Sequence, residues 1–565
     1  MNEKGGYRVA TPTYSEFLLG NEVAALAAIH AGISAAYAYP GTPATEVVEY
    51  VHHYTRAHGR PHCAWSANEK TAYEEALGVT LVGKRALVAM KHVGLNVAAD
   101  PFINSALVAI HAGLVVLVAD DPSMHSSQNE QDSRYYADFA RVPCFEPATH
   151  QETYDMTREA FAASERLEVP VMVRLVTRLA HTRERVVTRP PLPERAFAKA
   201  PRPSSWILMP MNARRQWHEL IGRQAQIEGY AEDSPYNARC DRSSDANDLV
   251  ITTGIAGQYF LEVVPDLPAP LRHLQIGVYP FPKRKVRDAA RGARRIWVIE
   301  EGYPYLERYL RGLLDGFPTQ PTIAGKLTGE LPLEGELCPE HVRGAFGLTP
   351  RPSFLQGAVA EDGATSLAVS LPPSLPARPP QLCAGCPHID SFDALREALR
   401  DYDPTLVTSD IGCYTLGALP PYSIIETCVC MGASVSLAKG AADVGFRPVL
   451  AVIGDSTFLH SGMTPLLDAV ASRANMTLII LDNQTVGMTG GQSTIIASSK
   501  LKDIVLGLGV EPEHVHVVDV HRRYDAANAK VIRDEIESPG VSVIIAVREC
   551  IQTVRYEKDE IGCRS

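Results

Sequence analysis

Short apolar runs rich in Val, Ile, Leu and Ala recur along this chain, and helix-like stretches of small or charged residues separate them. Uninterrupted apolar runs of this length are typical of strands buried on both faces of a parallel sheet. Strands that alternate with helices imply βαβ units, in which helices cover both faces of the sheet. The sequence therefore predicts an α/β protein built from doubly wound parallel sheets. The clearest predicted strands are residues 35–39, 86–90, 114–119, 249–252, 296–299, 449–453, 477–481 and 541–547.

Two proline-rich segments, residues 189–205 and 371–380, indicate connections between domains. A polar, helix-like stretch at 212–232 follows the first of them and is expected to bridge two domains. A length of 565 residues agrees with three α/β domains, at roughly 150 residues each. The predicted division is a first domain at 1–188, a linker and bridging helix at 189–245, a second domain at 246–330, a linker at 331–380 and a third domain at 381–565.

Charge, the length of apolar runs and the number of cysteines exclude some classes of partner and indicate the cellular compartment. The net charge of −11 argues against nucleic acid or an anionic membrane as the main partner. No apolar run reaches the roughly 18–20 residues that span a bilayer, and the first ten residues have no apolar core of a secretory signal. Eleven cysteines, an odd number, favour reduced thiols over a disulfide framework. We therefore expect a cytoplasmic protein in which clustered cysteines bind a metal.

The motif Gly454-Asp455-Ser456 directly follows a predicted strand, and Asp482-Asn483 closes the next one. Ligands of a parallel sheet gather beyond the carboxyl ends of its strands, so Asp455 and Asn483 are expected at the same edge. Carboxylate, amide and backbone oxygens suit Mg²⁺, which proteins usually share with phosphate groups. Helix N-termini beyond the strands favour the charge of a phosphate. An ordinary strand that ends in a Gly-Asp turn is the alternative, and the βαβ spacing to Asn483 argues against it.

This pattern resembles the diphosphate-binding motif of thiamine-diphosphate enzymes. In those enzymes an Asp after a Gly, an Asn near the end of the next strand and a backbone oxygen two residues later bind Mg²⁺. The matching positions are Asp455, Asn483 and the carbonyl of Thr485, and Gly454 and Ser456 flank the first of them. The resemblance implies thiamine diphosphate and Mg²⁺ as cofactors, bound by transketolase-like α/β domains.

Further segments resemble one branch of that superfamily, the 2-oxoacid:ferredoxin oxidoreductases, and within it the alpha subunits of the indolepyruvate type, over nearly the whole chain. The matching segments, in the family's order, are LLGNEVAALAA at residues 18–28, YPGTP at 39–43, NEK at 68–70, MKHVGLNVAADP at 90–101, CAGCPH at 383–388, DIGCYTLG at 410–417, GDSTFLHSG at 454–462 and MTGGQ at 488–492. Those alpha subunits continue into a ferredoxin-like domain with two CxxCxxCxxxC runs, and this sequence contains neither run. Onward electron transfer is therefore expected to use a partner subunit or a different acceptor, if it occurs.

Thiamine catalysis requires a carboxylate beside N1′ of the aminopyrimidine, where it favours the tautomer that removes the proton from C2. The sequence alone offers Glu69, Glu74 and Glu75 on one predicted helix and does not choose among them. The resemblance selects Glu69, because the family's Glu opens this helix. Glu74 and Glu75 are better explained as solvated helix residues.

The resemblance also implies roles for residues outside these motifs. Thr42 matches the Thr that hydrogen-bonds the substrate carboxylate, and a turn Thr before a proline is the alternative. Met431 matches a position packed near the thiazolium, although Met in such a place is more often a core residue. His92 and His460 lie inside matched segments, where proton transfer and a structural role are equally compatible with the sequence.

Four cysteines are the main candidates for the ligands of a metal centre that transfers electrons. Cys383 and Cys386 form a CxxC pair, Cys413 follows about 30 residues later, and Cys550 follows the last predicted strand. A CxxC pair alone is compatible with zinc, redox chemistry or chance. The resemblance matches all four to the ligands of a [4Fe–4S] cluster, for which four thiolates are the usual set. The competitors for the fourth position are Cys428, Cys430 and Cys563.

The resemblance implies oxidative decarboxylation of an aryl-type 2-oxo acid to its acyl-CoA, with electrons passing through the cluster to ferredoxin or another acceptor. It also implies a smaller beta- or gamma-type subunit and an oligomer. One alternative is a non-oxidative decarboxylase or carboligase, which needs no cluster. Another is an inactive structural subunit, against which the joint presence of Glu69, Asp455 and Asn483 argues. No motif encodes the substrate side chain or the contacts of CoA.

Overall fold

The computed structural model describes residues 14–240, 247–317, 320–351 and 381–554. The chain divides into two compact units, residues 1–371 and 372–565. None of the helices in the described ranges has both the length and the apolar character needed to cross a bilayer.

The strands and helices of the first unit alternate along the chain. Its strands are β1 (Tyr14–Leu19), β2 (Ala35–Ala38), β3 (His62–Trp65), β4 (Ala86–Lys91), β5 (Leu114–Asp120), β6 (Cys144–Phe145), β7 (Val171–Val176), β8 (Arg183–Thr188), β9 (Ala238–Arg239), β10 (Asp248–Thr253), β11 (Arg272–Ile276), β12 (Val278–Tyr279), β13 (Arg295–Ile299) and β14 (Thr322–Ala324). Its α-helices are α1 (Gly20–His30), α2 (Thr45–His58), α3 (Glu69–Leu81), α4 (His92–Val97), α5 (Ala99–Ser105), α6 (Arg134–Ala140), α7 (His150–Leu167), α8 (Thr177–His181), α9 (Pro210–Asp233), α10 (Ala256–Val263), α11 (Lys283–Ala290), α12 (Tyr305–Leu313) and α13 (Pro339–Ala345).

Two mainly parallel sheets organise the first unit. One has the strand order β12-β6-β7-β5-β4-β2-β3 and is parallel except where β12 meets β6. The other has the order β14-β13-β10-β11-β9 and is parallel except at β9. β1 and β8 form a separate antiparallel ribbon. β12 lies between β11 and β13 in the sequence, but it pairs with β6 of the seven-stranded sheet and not with the strands of the five-stranded sheet. The chain therefore connects the two sheets within the first unit.

The second unit has a single five-stranded sheet in the described residues, and every neighbour in it is parallel, in the order β15-β16-β17-β21-β20. A short hairpin of β18 and β19 follows β17. The strands are β15 (Leu406–Ser409), β16 (Val449–Gly454), β17 (Met476–Asp482), β18 (Thr485–Val486), β19 (Gln492–Ser493), β20 (Val515–Asp519) and β21 (Val541–Val547). The α-helices are α14 (Pro387–Leu399), α15 (Ala433–Asp443), α16 (Asp455–Thr457), α17 (Met463–Ser472), α18 (Leu501–Gly507) and α19 (Asp525–Glu537).

These three mainly parallel sheets confirm the predicted α/β fold. The predicted strand at 541–547 has the observed bounds, and the one predicted at 114–119 extends one residue further, to Asp120. The bridging helix predicted at 212–232 is observed as Pro210–Asp233. Every residue of β16 and β17 is buried, as uninterrupted apolar runs require in a sheet with both faces covered. The domain boundaries stay a prediction.

Part of the segment predicted as a linker at 331–380 is packed. Leu331, Leu337 and Val342 are buried in the core of the first unit, and Pro339–Ala345 is helical. The remaining linker residues, 352–380, lie outside the described residues.

A buried charge network lies at the carboxyl ends of β5, β7 and β13 in the first unit. The Arg174 guanidinium donates to Asp120 Oδ2 at 2.6 Å and to Glu146 Oε1 at 2.5 Å. Arg134 lies 3.0 Å from Glu300 Oε2 and is itself 1% exposed. Buried ions remain stable only when they are paired and hydrogen-bonded. This network therefore fixes the positions of several loops at that edge of the sheets.

Candidate active site

In the second unit, Asp455 and Asn483 lie at the same edge of the sheet. β16 and β17 are adjacent and parallel, with Gly454 opposite Leu481, so the residues after both strands are neighbours. The Asp455 carboxylate accepts hydrogen bonds from the Ser456 N–H at 2.7 Å and from the Gln484 N–H at 2.9 Å. The two predicted magnesium ligands are thus brought together through the turn that follows β17.

Thr485 completes the predicted ligand set at this turn. It is buried, and its N–H donates to Asn483 Oδ1 at 3.3 Å. Its hydroxyl donates to the Gln492 carbonyl at 3.1 Å, across the β18–β19 hairpin. Gln484 has a φ of 63°, in the left-handed region, which is uncommon for a residue other than glycine and is frequent at functional sites.

A second carboxylate, Asp482, stands beside Asp455. Both are buried. Burial, and then the charge of Asp482, raise the pKa of Asp455 well above its usual range. Burial likewise raises the pKa of Asp482. A divalent cation at this edge would reverse both shifts, because it supplies the opposite charge that two buried carboxylates need. The donor set therefore fits Mg²⁺.

A helical run begins at the end of β16, where a phosphate group would meet N–H groups. It comprises α16, a π-helical turn at Phe458–Gly462, and α17. Helix N-termini favour anions, and π-turns are frequent at functional sites. His460 lies in the π-turn, buried, with Nδ1 2.5 Å from Ser461 Oγ. A Cβ added to Gly454 would lie 2.7 Å from the Tyr414 ring, so the backbone needs glycine there.

Met431 precedes α15 and is half-buried. The loop that carries it is fixed by Asp410, which follows β15 and accepts hydrogen bonds from the Ser434 hydroxyl at 2.6 Å and from the Ser434 N–H at 3.3 Å. Burial raises the pKa of Asp410 to about 6. Asp410 thus positions the segment at 431–434.

The four predicted cluster ligands converge in the second unit. Burial raises the pKa of the Cys413 thiol to about 12, and Cys386, Cys550 and Cys383 add to that rise, so these three lie within electrostatic reach of Cys413. Cys386 donates its N–H to the Cys383 carbonyl at 2.9 Å in a tight turn. The Cys550 N–H donates to the Asn483 carbonyl at 3.1 Å, which links this cysteine to the magnesium turn.

Gly487 lies next to both Cys413 and the magnesium turn. A Cβ built there would lie 3.5 Å from Cys413 Sγ and 3.7 Å from Asn483 Nδ2. The competing thiols Cys428 and Cys430 are exposed, and burial, followed by the charge of Asp410, raises their pKa values. Cys563 lies outside the described residues.

In the first unit, Glu69 opens α3, where the Asn68 side chain caps the helix by accepting from the Thr71 N–H at 2.8 Å. Glu69 is 4% exposed, whereas Glu74 and Glu75 are exposed. Burial therefore singles out the same glutamate that the resemblance selected. The Glu69 carboxyl lies against Gly94 of α4, where an added Cβ would be 2.6 Å from Oε1.

Thr42 and His92 lie at the same edge of the seven-stranded sheet. Thr42 follows β2 and is half-buried, and its carbonyl accepts from the Ser126 hydroxyl at 3.0 Å. His92 follows β4 and is buried, with Nε2 3.1 Å from the Asn129 carbonyl oxygen.

Comparisons with known proteins identify the family of the chain. The thiamine-diphosphate-binding model of the pyruvate flavodoxin/ferredoxin oxidoreductases matches residues 26–228, and the C-terminal binding domain model of thiamine pyrophosphate enzymes matches residues 410–546. Indolepyruvate oxidoreductase subunit IorA of Archaeoglobus fulgidus is 38% identical, over 94% of this chain and 86% of that protein. The chain belongs to the IorA family. The subunit of the same name from Methanothermobacter thermautotrophicus is 35% identical, over 95% of this chain and 87% of that protein.

Membership of the IorA family confirms the predicted resemblance to 2-oxoacid:ferredoxin oxidoreductases and the prediction of a thiamine-diphosphate enzyme. Among solved structures, a 2-oxoglutarate:ferredoxin oxidoreductase from Magnetococcus marinus, with 2-oxoglutarate, coenzyme A and succinyl-CoA bound, matches with a TM-score of 0.47 and 15% identity. That match covers 61% of this chain and 68% of the other.

The sequence assigned no role to Gly94 in the first unit or to Asp410 and Asp482 in the second, although each lies beside a candidate site residue. Asp482 closes a predicted strand, so its position at the carboxyl edge was a usable signal. Asp410 follows β15, a strand that the sequence did not predict. Gly94 lies in a matched segment, but only the fold shows that its missing side chain makes room for Glu69.

We expect the substitution Gly94→Ala to displace the Glu69 carboxyl, since its Cβ would overlap Oε1. A displacement of about 1 Å costs on the order of 100-fold in rate, so 2-oxo acid-dependent reduction of an electron acceptor should fall by that factor. The matched control is Gly78→Ala in α3, where nothing lies within 4 Å of the added Cβ. The control should keep full activity and gain about 0.5–1 kcal/mol of stability. Equal activity of the two variants would contradict the role of Gly94.

Proposed function

We propose that this chain oxidatively decarboxylates an aryl-type 2-oxo acid, using thiamine diphosphate held by Mg²⁺, and delivers the electrons to a [4Fe–4S] cluster. The observation that carries the proposal is that Asn483 and Cys413 both lie within 4 Å of the position that a Cβ of Gly487 would take. A cluster that accepts electrons from a cofactor must lie close to the site that binds the cofactor.

The second unit would hold the diphosphate end of the cofactor. Asp455, Asn483 and the carbonyl of Thr485 are the proposed Mg²⁺ ligands, and Asp482 adds charge beside them. Gly454 and Ser456 begin the helical run whose N–H groups would bind the phosphates. When bound, thiamine diphosphate supplies the carbon nucleophile and the electron sink for loss of CO₂.

The first unit would act on the aminopyrimidine and on the substrate. Glu69 is the proposed proton carrier at N1′, and its burial against Gly94 fixes the carboxyl in one position. Thr42 would hydrogen-bond the substrate carboxylate. Met431, on the loop that Asp410 fixes in the second unit, would pack near the thiazolium ring.

Cys383, Cys386, Cys413 and Cys550 are the proposed cluster ligands. Burial raises the pKa of Cys413 and Cys386, which opposes their thiolates unless a metal centre compensates the charge, and this supports a common metal site. The hydrogen bond from the Cys550 N–H to the Asn483 carbonyl would hold the cluster at a fixed distance from the magnesium turn.

The substrate and the partners are inferred from the relatives. Because the curated relatives are indolepyruvate oxidoreductase subunits, an aryl pyruvate is the proposed substrate, with coenzyme A as the acyl acceptor. A smaller partner subunit, ferredoxin or another acceptor, an oligomeric enzyme and a cytoplasmic location complete the proposal.

The substitution Asp455→Asn tests the magnesium site. In the presence of a chelator we expect the variant to melt at a higher temperature than the wild type, because one of two mutually repelling buried carboxylates is gone. Mg²⁺ with thiamine diphosphate should then stabilise the wild type, by about 2.7 kcal/mol at 100 times the Kd, and leave the variant nearly unchanged. Calorimetry measures both effects. The control Asp468→Asn, with a side chain that is 71% exposed, should behave as the wild type. A variant stabilised as strongly as the wild type would refute Asp455 as a ligand.

The substitution Cys413→Ala tests the cluster and, with it, the oxidative reaction. Anaerobically purified wild type should be brown, contain iron and transfer electrons from a 2-oxo acid to an acceptor. The variant should lose iron and electron transfer but still bind thiamine diphosphate and Mg²⁺.

Cys428→Ala and Cys430→Ala are the matched controls for this test, since both thiols are exposed and close in sequence. Both should keep the iron content of the wild type. Iron that survives in Cys413→Ala would exclude that ligand. A colourless wild type that converts 2-oxo acids to aldehydes would instead establish the non-oxidative decarboxylase.

A further inference from the structure

Lys91, the last residue of β4, reaches the turn that carries Thr42. Its Nζ donates to the Ser126 carbonyl at 2.9 Å, and the Ser126 hydroxyl donates in turn to the Thr42 carbonyl at 3.0 Å. A Cβ added to Gly41 would lie 3.1 Å from Lys91 Cδ, so the lysine stem packs directly over this turn. Lys91 and Thr42 are therefore held side by side at the carboxyl edge of the sheet.

The positive charge of Lys91 has no carboxylate partner within 4 Å in the parts of the chain that the structure describes. The acid that acts most strongly on Lys91 is Asp121. Asp121 already accepts from the Ser126 N–H at 2.8 Å, the Ser127 hydroxyl at 2.7 Å and the Thr177 hydroxyl at 2.7 Å. Burial lowers the pKa of Lys91 to about 8, although Asp121 and Glu69 act in the opposite direction. An ammonium group with one carbonyl acceptor keeps two N–H donors for a ligand.

The Thr42 hydroxyl can also donate a hydrogen bond to a ligand. No hydrogen bond of this hydroxyl to the described residues is found, and the side chain is half-buried. A lysine ammonium and a hydroxyl donor side by side form a suitable pair for a carboxylate, because charge-assisted hydrogen bonds are short and strong.

We propose that Lys91 binds the carboxylate of the 2-oxo acid, together with Thr42, and so makes the site select 2-oxo acids over neutral carbonyl compounds. The inference deepens the proposed function and rests on it for the identity of the substrate. Glu69 lies close enough to act on Lys91, which places the proposed carboxylate site near the group assigned to the aminopyrimidine. Ser126 and Asp121 are then positioning residues that hold the lysine and the turn.

An alternative role for Lys91 is to tune Glu69 electrostatically. The two roles predict different kinetics. A residue that binds the substrate carboxylate lowers KM when present, whereas one that only tunes Glu69 changes kcat and its pH profile and leaves KM unchanged.

The test is Lys91→Met in the full-length enzyme loaded with thiamine diphosphate and Mg²⁺. We expect KM for indolepyruvate to rise by about 10- to 100-fold, as for the loss of one charge-assisted hydrogen bond, while kcat changes less. Binding of thiamine diphosphate should be unaffected. Lys91→Arg keeps the charge and should recover part of the loss. Lys70→Met, which removes an exposed lysine paired with Glu74, is the control and should leave KM unchanged.

Equilibrium binding separates this proposal from the proposed function. The wild type should bind indolepyruvate more tightly than its methyl ester, and Lys91→Met should bind the two alike. An unchanged KM and an unchanged preference in Lys91→Met would overturn the proposal, as would a fall in kcat alone. If the wild type releases no CO₂, the proposed function fails, and the binding preference still decides the role of Lys91. A wild type that binds indolepyruvate no more tightly than its methyl ester would overturn the proposed role of Lys91.

Discussion

Two buried carboxylates side by side, Asp455 and Asp482, are the constraint on which the second unit depends. β16 and β17 are parallel and adjacent, so their carboxyl ends force these groups together. No ion pair in the described residues involves either one, and N–H groups of Ser456 and Gln484 and the Ser498 hydroxyl donate to them. Such an arrangement is costly without a cation. A bound divalent ion removes that cost, and the same ion would anchor a diphosphate.

The proposed electron path depends on the position of that turn. The Cys550 N–H donates to the Asn483 carbonyl, and Asn483 and Cys413 both lie within 4 Å of the position that a Cβ of Gly487 would take. A cofactor anchored at the turn would therefore lie near the four cysteines. In the first unit the same principle applies, since Thr42, Glu69 and Lys91 follow or end neighbouring strands of one sheet. In both units the candidate site residues lie at the carboxyl edge of parallel strands.

The sequence was sufficient for the features that depend on local pattern. Uninterrupted apolar runs predicted strands such as Val541–Val547, and the Gly-Asp motif predicted the edge where Asp455 lies. The sequence was insufficient where the role of a residue depends on a contact with a residue far away in the chain. Lys91 is an ordinary strand residue until the fold places it over Gly41, and Gly94 is an ordinary helix residue until Glu69 packs against it. The assignment of ligands and catalytic groups stays a prediction.

The most direct test of the central claim is an anaerobic single turnover of the enzyme loaded with thiamine diphosphate and Mg²⁺, with CO₂ release and reduction of the iron–sulfur chromophore followed together. The account predicts that every CO₂ released is matched by an electron pair delivered to the cluster and its acceptor, and that neither occurs without thiamine diphosphate. Release of CO₂ with an aldehyde as product and an unreduced chromophore would contradict it.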